Sequence, residues 1–418
     1  MSRLHAVVGL TAILCLAVGG CKKPQPPEVQ PVASGTPVAK TTGATSGPGA
    51  GLAAAKIEGQ GPIKLGAYFG LTGNFATFGI SSSNALRLAV DEINTAGGIG
   101  GQQIELTVED DQCKPDEAAS AASKLIDQDQ VLVLIGEVAS SNSLAAAPIC
   151  QAAKVPMVTP TSTNPKVTKT GDYIFRACFT DDFQGWVPAK FAVDTLKART
   201  AAVFSDVNSD YSQGLTEYFT AAFQKLGGKV VVKQSYSQGD KDFAAQLTAM
   251  AKAAPDVLYI PGYYNDVGPI CQQARRLGLK SKVLGGDGFD SPKLVELGGD
   301  AVEGVYFSNH YSKDDPRPEV QSFLKAYQAK YNEVPDALAA CAYDTVYLVA
   351  QAIVRAGKLD RAAVRDALAQ TKDFPGVTGT ITMDANRNAQ KPAVILTIEK
   401  GQQKFVASVP PTGFTPAL

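Results

Sequence analysis

The sequence predicts an α/β chain built as two doubly wound, parallel-sheet lobes. Three observations carry this. Short β-branched runs alternate with amphipathic helical stretches from Ile63 onward, the strands are continuously apolar as strands covered on both faces must be, and the alternation runs twice, with a break at Arg176. In the first series Ile63 to Phe69 reads as a strand and Ser82 to Thr95 as a helix, with Leu86, Ala89, Val90 and Ile93 on one stripe at i, i+3, i+4, i+7. Ile104 to Val108 is a strand, Pro115 to Asp129 a helix with proline in its first turn, Val131 to Ile135 a wholly apolar strand, and Ser141 to Ala153 a helix. In the second series, strands at Ala201 to Phe204, Lys229 to Ser235, Val257 to Ile260 and Lys282 to Gly285 alternate with helices at Gln213 to Leu226, Phe243 to Ala254 and Asp266 to Leu277. The end differs: helices at Pro318 to Tyr331 and Ala337 to Ala356 precede β-like runs at Gly379 to Met383, Ala393 to Glu399 and Lys404 to Val409.

Composition narrows the function. The 418 residues are 45% hydrophobic and 19% charged, with 39 Lys+Arg against 40 Asp+Glu, so there is no basic face to hold nucleic-acid phosphates. Only two histidines occur, His5 and His310. His5 lies in a cleavable leader, which excludes a His-based metal cluster, and His310, within the polar stretch Ser308 to Ser312, reads as a solvated residue.

Residues 1–20 read as a signal peptide: one arginine, then an apolar stretch from Ala6 to Gly20 too short to span a bilayer. Leu16 to Cys21 resembles a bacterial lipobox, with Val18 at the usual Leu position, which makes Cys21 the lipidation candidate and the first mature residue. Lys22 to Pro62 holds seven Pro and seven Gly with few large apolar side chains, so 21–62 is expected to be a lipid-anchored flexible linker. About 40 such residues have an r.m.s. span of roughly 35 Å. Cys113, Cys150, Cys178, Cys271 and Cys341 remain in the body, with no C-x-x-C spacing, so one or two disulfides plus a free thiol are allowed and the connectivity is open.

In open α/β sheets ligands bind beyond the carboxyl ends of the strands. The loops there hold Gly70 to Asn74, Gly136 to Ser143 and Thr159 to Pro165 in the first lobe, and Asp206 to Ser212, Pro261 to Asn265 and Gly285 to Phe289 in the second. Neutral hydroxyls line one side; aromatics and a carboxylate line the other. Ser140, Thr163 and the N–H groups opening the Ser141 helix can donate to a carboxylate, and Asp287 with main-chain oxygens can accept from an ammonium group. The same residues also admit blander roles: Ser140 as a helix cap, Thr163 and Asp287 as turn residues, Tyr211 and Tyr263 as rim aromatics. Gly97 to Gly101 follows a helix and leads into a strand, the reverse of a dinucleotide loop, and the adjacent Asp110 and Asp111 point to opposite faces of a strand end.

The motifs Asp91-Glu92-Ile93-Asn94-Thr95-Ala96-Gly97-Gly98-Ile99, Asp110-Asp111-Gln112-Cys113, Thr159-Pro160 with Thr163, Asp210-Tyr211-Ser212-Gln213-Gly214, Lys241-Asp242-Phe243 and Gly285-Gly286-Asp287-Gly288 stand in an order that resembles the Leu/Ile/Val-binding family of type I periplasmic binding proteins, over about Ile63 to Pro410. The resemblance implies two lobes joined by three crossover strands: an N-terminal lobe of 63–178 with 308–378, a C-terminal lobe of 179–307 with 379–410, and a tail of 411–418. It implies that Ser140 and Thr163 grip the ligand carboxylate, that Thr161 (through its carbonyl), Thr163 and Asp287 receive the ammonium, and that Phe78, Val138, Ala139, Tyr211 and Tyr263 wall the pocket. Asp287 stands where some members have Glu, and Ala139 where some have a cysteine that pairs with Cys113, so that disulfide is not expected; a Cys178–Cys341 pair near the crossovers is the remaining suggestion. The implied function is an extracytoplasmic lipoprotein that binds an apolar amino acid by hinge closure for an ABC permease, as a monomer, without cofactor or catalysis. A ligand-sensing domain reporting to a signalling partner is the alternative; an enzyme is disfavoured because no nucleophile–base pair is visible.

Overall fold

The computed structural model describes residues 48–415; the predicted signal peptide, Cys21 and the linker up to Gly47 lie outside the described residues. The first series comprises β1 (Ile63–Phe69), α1 (Ala76–Thr95), β2 (Ile104–Asp110), α2 (Pro115–Asp127), β3 (Val133–Ile135), α3 (Ser140–Ala153), β4 (Met157–Thr159), α4 (Lys166–Lys169) and β5 (Ile174–Arg176). The second comprises α5 (Asp181–Asp194), β6 (Thr200–Asp206), α6 (Asp210–Lys225), β7 (Lys229–Tyr236), α7 (Ala244–Ala253), β8 (Val257–Tyr259), α8 (Tyr264–Arg276), β9 (Lys282–Gly285), α9 (Pro292–Gly298) and β10 (Tyr306–Asn309). The chain ends with α10 (Pro318–Tyr331), α11 (Ala337–Ala356), α12 (Arg361–Ala369), β11 (Phe374–Gly376), β12 (Gly379–Met383), β13 (Ala389–Gln390), β14 (Ala393–Glu399) and β15 (Gln402–Val409).

The first sheet runs β2-β1-β3-β4-β5 and is wholly parallel. The second runs β15-β14-β10-β9-β8-β6-β7; its strands from β7 to β10 are parallel, but β14 and β15 join antiparallel. Lys400 and Gly401 both have positive φ, 53° and 67°, so a two-residue hairpin turn connects these last strands without a crossover helix. β12 belongs to neither sheet; it pairs with β11 and β13 in a small antiparallel ribbon.

Several helices depart from the expectation: the short α4, α9 and α12 have no predicted counterpart, and two longer ones differ for identifiable reasons. α1 begins at Ala76 rather than Ser82, because Phe78 is buried and Gly79 lets the first turn close on the Gly70 loop, where a Cβ would lie 2.2 Å from the Gly70 carbonyl oxygen. α5 has no counterpart among the predicted helices. Gly185 and Pro188 break its pattern in sequence, yet Gly185 is where the α6 backbone comes close: a Cβ there would lie 2.8 Å from Phe219 N. In α11, which packs on α1, the predicted bounds coincide with the caps: Asp336 accepts from Ala339 N at 2.7 Å and Gly357 is left-handed.

The ordered body extends past the predicted boundaries. Pro48 to Pro62, expected as linker, lies on it: Leu52 is 3% exposed, its carbonyl accepts from Gly100 N at 2.8 Å, and Gln351 Nε2 donates to the Pro48 carbonyl at 3.0 Å. In the predicted tail, Phe414 packs on Phe183 and Trp186. All five body cysteines are free thiols, so the suggested Cys178–Cys341 bond is not formed. Both are buried, Cys178 bonding the Ser162 carbonyl and Cys341 lying 3.9 Å from Lys391 Nζ.

Buried polar groups tie the crossover segments. Asp344 on α11 accepts from the N–H groups of Val377 and Thr378 at 2.7 and 2.8 Å, and the buried Lys391 ammonium donates to the Thr378 hydroxyl. Arg176, the largest fully buried side chain, ends β5 by donating to the carbonyls of Ser162 and Asn164 and to Asn388 Oδ1. It thereby pins the loop after β4, which carries Thr161 and Thr163, to the segment entering β13.

Candidate functional site between the two sheets

The loops beyond β3 and β4 meet those beyond β6, β8 and β9. Phe78, Val138, Ala139, Thr161, Tyr211, Tyr263 and Asp287 line one cavity, joined by Phe75, Gly288 and Leu338, which the sequence reading missed. Phe75 precedes the helix start expected from periodicity, and Leu338 reads as one more core residue of α11. Larger hollows, of about 750, 660 and 300 Å³, lie elsewhere, and none of these is lined by Asp287, Tyr211 or Thr161.

Tyr263 is the centre of the aromatic wall. It stacks on Tyr211 with centroids 5.1 Å apart and planes 7° off parallel, meets Phe75 at 4.9 Å and presents an edge to Phe78 at 6.1 Å. The rings close the space to about 10 Å³, room for a single water. Polar bonds cross the cleft around them. Ser141 Oγ bonds Asp210 at 2.9 Å, Asn164 Nδ2 donates to the Asp210 carbonyl at 2.7 Å, and Thr77 Oγ1 lies 3.3 Å from Ser291 Oγ.

Asp287 opens a short 3₁₀ turn after β9 and is 5% exposed. Its Oδ1 accepts from Tyr211 Oη at 2.9 Å and Gln184 Nε2 at 2.7 Å, while Oδ2 lies 2.9 Å from His310 Nε2. The flanking glycines make this clasp fit: a Cβ at Gly286 would lie 2.4 Å from the Tyr211 hydroxyl, and one at Gly288 would lie 2.5 Å from the Gly262 carbonyl oxygen. His310 corrects the sequence reading. It is 2% exposed, stacked on Phe179 with centroids 4.0 Å apart, because the end of β10 runs into the protein beside the end of β9 rather than out to solvent.

Ser140 and Thr163 sit behind the lining. Ser140 Oγ accepts from Asn164 N at 3.2 Å, bonding the loop after β3 to the loop after β4, and Thr161 Oγ1 donates to the Val138 carbonyl at 3.4 Å. Thr163 Oγ1 makes no hydrogen bond of proper geometry, though it lies close enough to the Asp181 carboxyl to draw its pKa part of the way down. Asp181 is the residue the sequence concealed: in the first turn of α5 it resembles any acidic N-terminal residue, yet it is fully buried and both its oxygens are unpartnered. Burial, reinforced by the Asp287 charge, pushes its carboxyl well above the ordinary range. Behind the Val138 and Ala139 wall, the buried Glu137 accepts from Gly70 N at 3.1 Å and Ala139 N at 2.5 Å; burial first and then the Asp111 charge raise its pKa. Among the described residues no group of acidic, His or Cys side chains could hold a metal. The arrangement suits noncovalent capture of a small solute: hydroxyls, backbone and the Phe75 and Phe78 rings beside the first sheet, Asp287 and the Tyr211 and Tyr263 rings beside the second.

A family model for periplasmic binding proteins matches residues 62–403. A leucine-, isoleucine-, valine-, threonine- and alanine-binding protein of Pseudomonas aeruginosa is 31% identical over 77% of this chain and 86% of its own length. Among solved structures, a leucine-binding protein from Thermotoga maritima superposes with a TM-score of 0.81 at 40% identity, covering 84% of this chain and 100% of the other. The branched-chain amino acid transporter substrate-binding protein of Streptococcus pneumoniae, in complex with isoleucine, gives a TM-score of 0.77 at 37% identity over 83% and 99% of the two chains. Sheets, crossovers and the matched span together make this chain a member of the periplasmic binding protein family, a family of solute-binding proteins rather than enzymes.

Proposed function

We propose that the chain is the extracytoplasmic substrate-binding lipoprotein of an ABC importer, capturing an apolar, branched-chain L-amino acid in the cleft by hinge closure and delivering it to a membrane permease. The observation that carries the reading is the convergence, on one aromatic-walled cavity, of loops from both sheets that supply Thr161 from one side and Asp287 from the other. Asp287 would receive the ligand ammonium, with Thr163 and the Thr161 carbonyl; Ser140 and Thr163 would donate to the carboxylate. The uncharged wall of Phe78, Val138, Ala139, Tyr211 and Tyr263 would take the side chain, because a charged side chain buried there has no partner. The relatives' names, leucine-binding and branched-chain transporter proteins, support the same substrate class.

The lobes of this reading are 63–178 with 308–378 and 179–307 with 379–410. An amino acid needs far more space than one water, so it enters only when the lobes part and the Tyr263 stack yields. Cys21 would carry the lipid, and the residues from Lys22 to Gly47 would be the leash that holds a monomeric body near its permease. The test is to denature the purified protein, identify co-purified small molecules by mass spectrometry, and screen the twenty amino acids by thermal shift. Leucine, isoleucine or valine is the expected ligand; tight binding of a solute that is not an amino acid would overturn the substrate class.

A further inference from the structure

We infer that His310 is a positioning residue of this site: its neutral imidazole holds one oxygen of Asp287, so that the carboxylate keeps its charge and its one free acceptor position for a ligand ammonium group. The inference rests on the proposed amino-acid ligand and goes beyond it in naming what prepares Asp287.

The register of the second sheet creates the pair. Leu284 and Gly285 on β9 lie beside Tyr306 and Phe307 on β10, so the residues just beyond these strand ends, Asp287 and His310, emerge next to one another. Phe179, from the segment entering α5, covers the imidazole face at 4.0 Å and fixes its plane. An ionised carboxylate has about four acceptor positions. Tyr211 and Gln184 occupy two on Oδ1 and His310 one on Oδ2, which leaves a single position, on Oδ2.

For Nε2 to donate to Oδ2, the neutral ring must carry its proton there, and Nδ1 is then a bare lone pair. That fits its surroundings, since Nδ1 is buried and no group in the described residues bonds to it. A second proton would create a buried N–H without an acceptor and would pair the ring's positive charge with Asp287, cancelling the charge meant for the ligand. The ionisable groups acting on the ring are Asp287, which favours protonation, and Lys391 beside β14, which opposes it. Burial, joined by Lys391, outweighs the Asp287 carboxylate and lowers the His310 pKa from its ordinary value. The site is therefore in its binding form at neutral pH and loses it on acidification.

The test uses the mature chain without a histidine tag, L-isoleucine as probe, and calorimetry across pH 4 to 8 (about the range in which carboxylates and histidine titrate). His310→Leu should weaken L-isoleucine binding at neutral pH by about 10- to 100-fold, the worth of a hydrogen bond to a charged group. His310→Gln restores a donor without a titrating ring; it should recover most of that loss and retain affinity to lower pH than the wild type. Loss below threefold in His310→Leu, or superimposable pH profiles for wild type and His310→Gln, would overturn the role. Should the leucine variant not fold, the glutamine profile still decides.

His310 is the only histidine outside the leader, so its imidazole nitrogen resonances can be read directly in the wild type. An Nε2–H neutral tautomer with a depressed pKa is expected; an Nδ1–H tautomer would refute the inference even if L-isoleucine proves not to bind. Failure of L-isoleucine binding with the expected tautomer would instead count against the ligand class alone.

Discussion

Replacing Arg176 with methionine probes how the ligand loop is held. The guanidinium has no exposed surface and donates to the Ser162 carbonyl, to the Asn164 carbonyl at 2.7 Å and to Asn388 Oδ1 at 2.7 Å. Methionine fills the volume of the stem but removes the charged donor, leaving the acceptors only their neutral bonds from Cys178 Sγ, from Val167 N at 3.1 Å and from Thr168 Oγ1 at 2.9 Å; each charged bond lost costs about 1.5–3 kcal/mol. Removing a buried charge returns several kcal/mol of desolvation, which leaves a net cost of about 3 kcal/mol for the three bonds. With a urea m-value near 3 kcal/mol/M, the midpoint should fall by about 1 M. Arg176→Lys should lie between, because an ammonium keeps the charge but cannot reach acceptors on two segments at once. Calorimetry with L-isoleucine on the folded variants should show weakened binding, since Thr161 and Thr163 ride on the released loop. A midpoint within about 0.2 M of wild type would refute the reasoning, showing that the desolvation of the guanidinium cancels its bonds.

Asp287→Ala should reduce amino-acid affinity by about 3–5 kcal/mol, some two to three and a half decades in Kd, by leaving a buried ammonium unpaired; a loss below threefold would make Asp287 a turn residue. Saturating ligand should compact the protein in small-angle scattering and stabilise it by about 2.7 kcal/mol at a hundredfold excess over Kd; identical scattering curves would remove the hinge. Burial, opposed in part by the Cys113 N–H, raises Asp111 to about 7, so the native state holds a proton that the unfolded chain has already lost. Stability should therefore fall as pH rises from about 4 to about 7, and Asp111→Asn should flatten that slope in urea titrations; an unchanged slope would place the proton elsewhere. Cys21→Ala should release the protein from membrane fractions while leaving ligand binding intact, and an unmodified Cys21 in the wild type would rule out the anchor.

The residue pattern alone determined the α/β alternation, the separate parallel series and most helix and strand positions, because apolar periodicity and end caps are local properties of the chain. The bounds of α11 follow directly from Asp336 and Gly357, and the ligand-side loops follow from where each strand ends. Short strands such as β4 and β5 span only three residues and carry too little pattern to register alone. α5 was hidden because Gly185 and Pro188 weaken its local signal while close contact with α6 favours it. Only the tertiary structure decided that His310 is buried against Asp287, that Asp181 stands unpartnered beside Thr163, and that Arg176 supports the loop after β4. A titratable residue's identity is written in the sequence, but its charge state and partners depend on what solvent the fold removes and which distant strand ends it brings together.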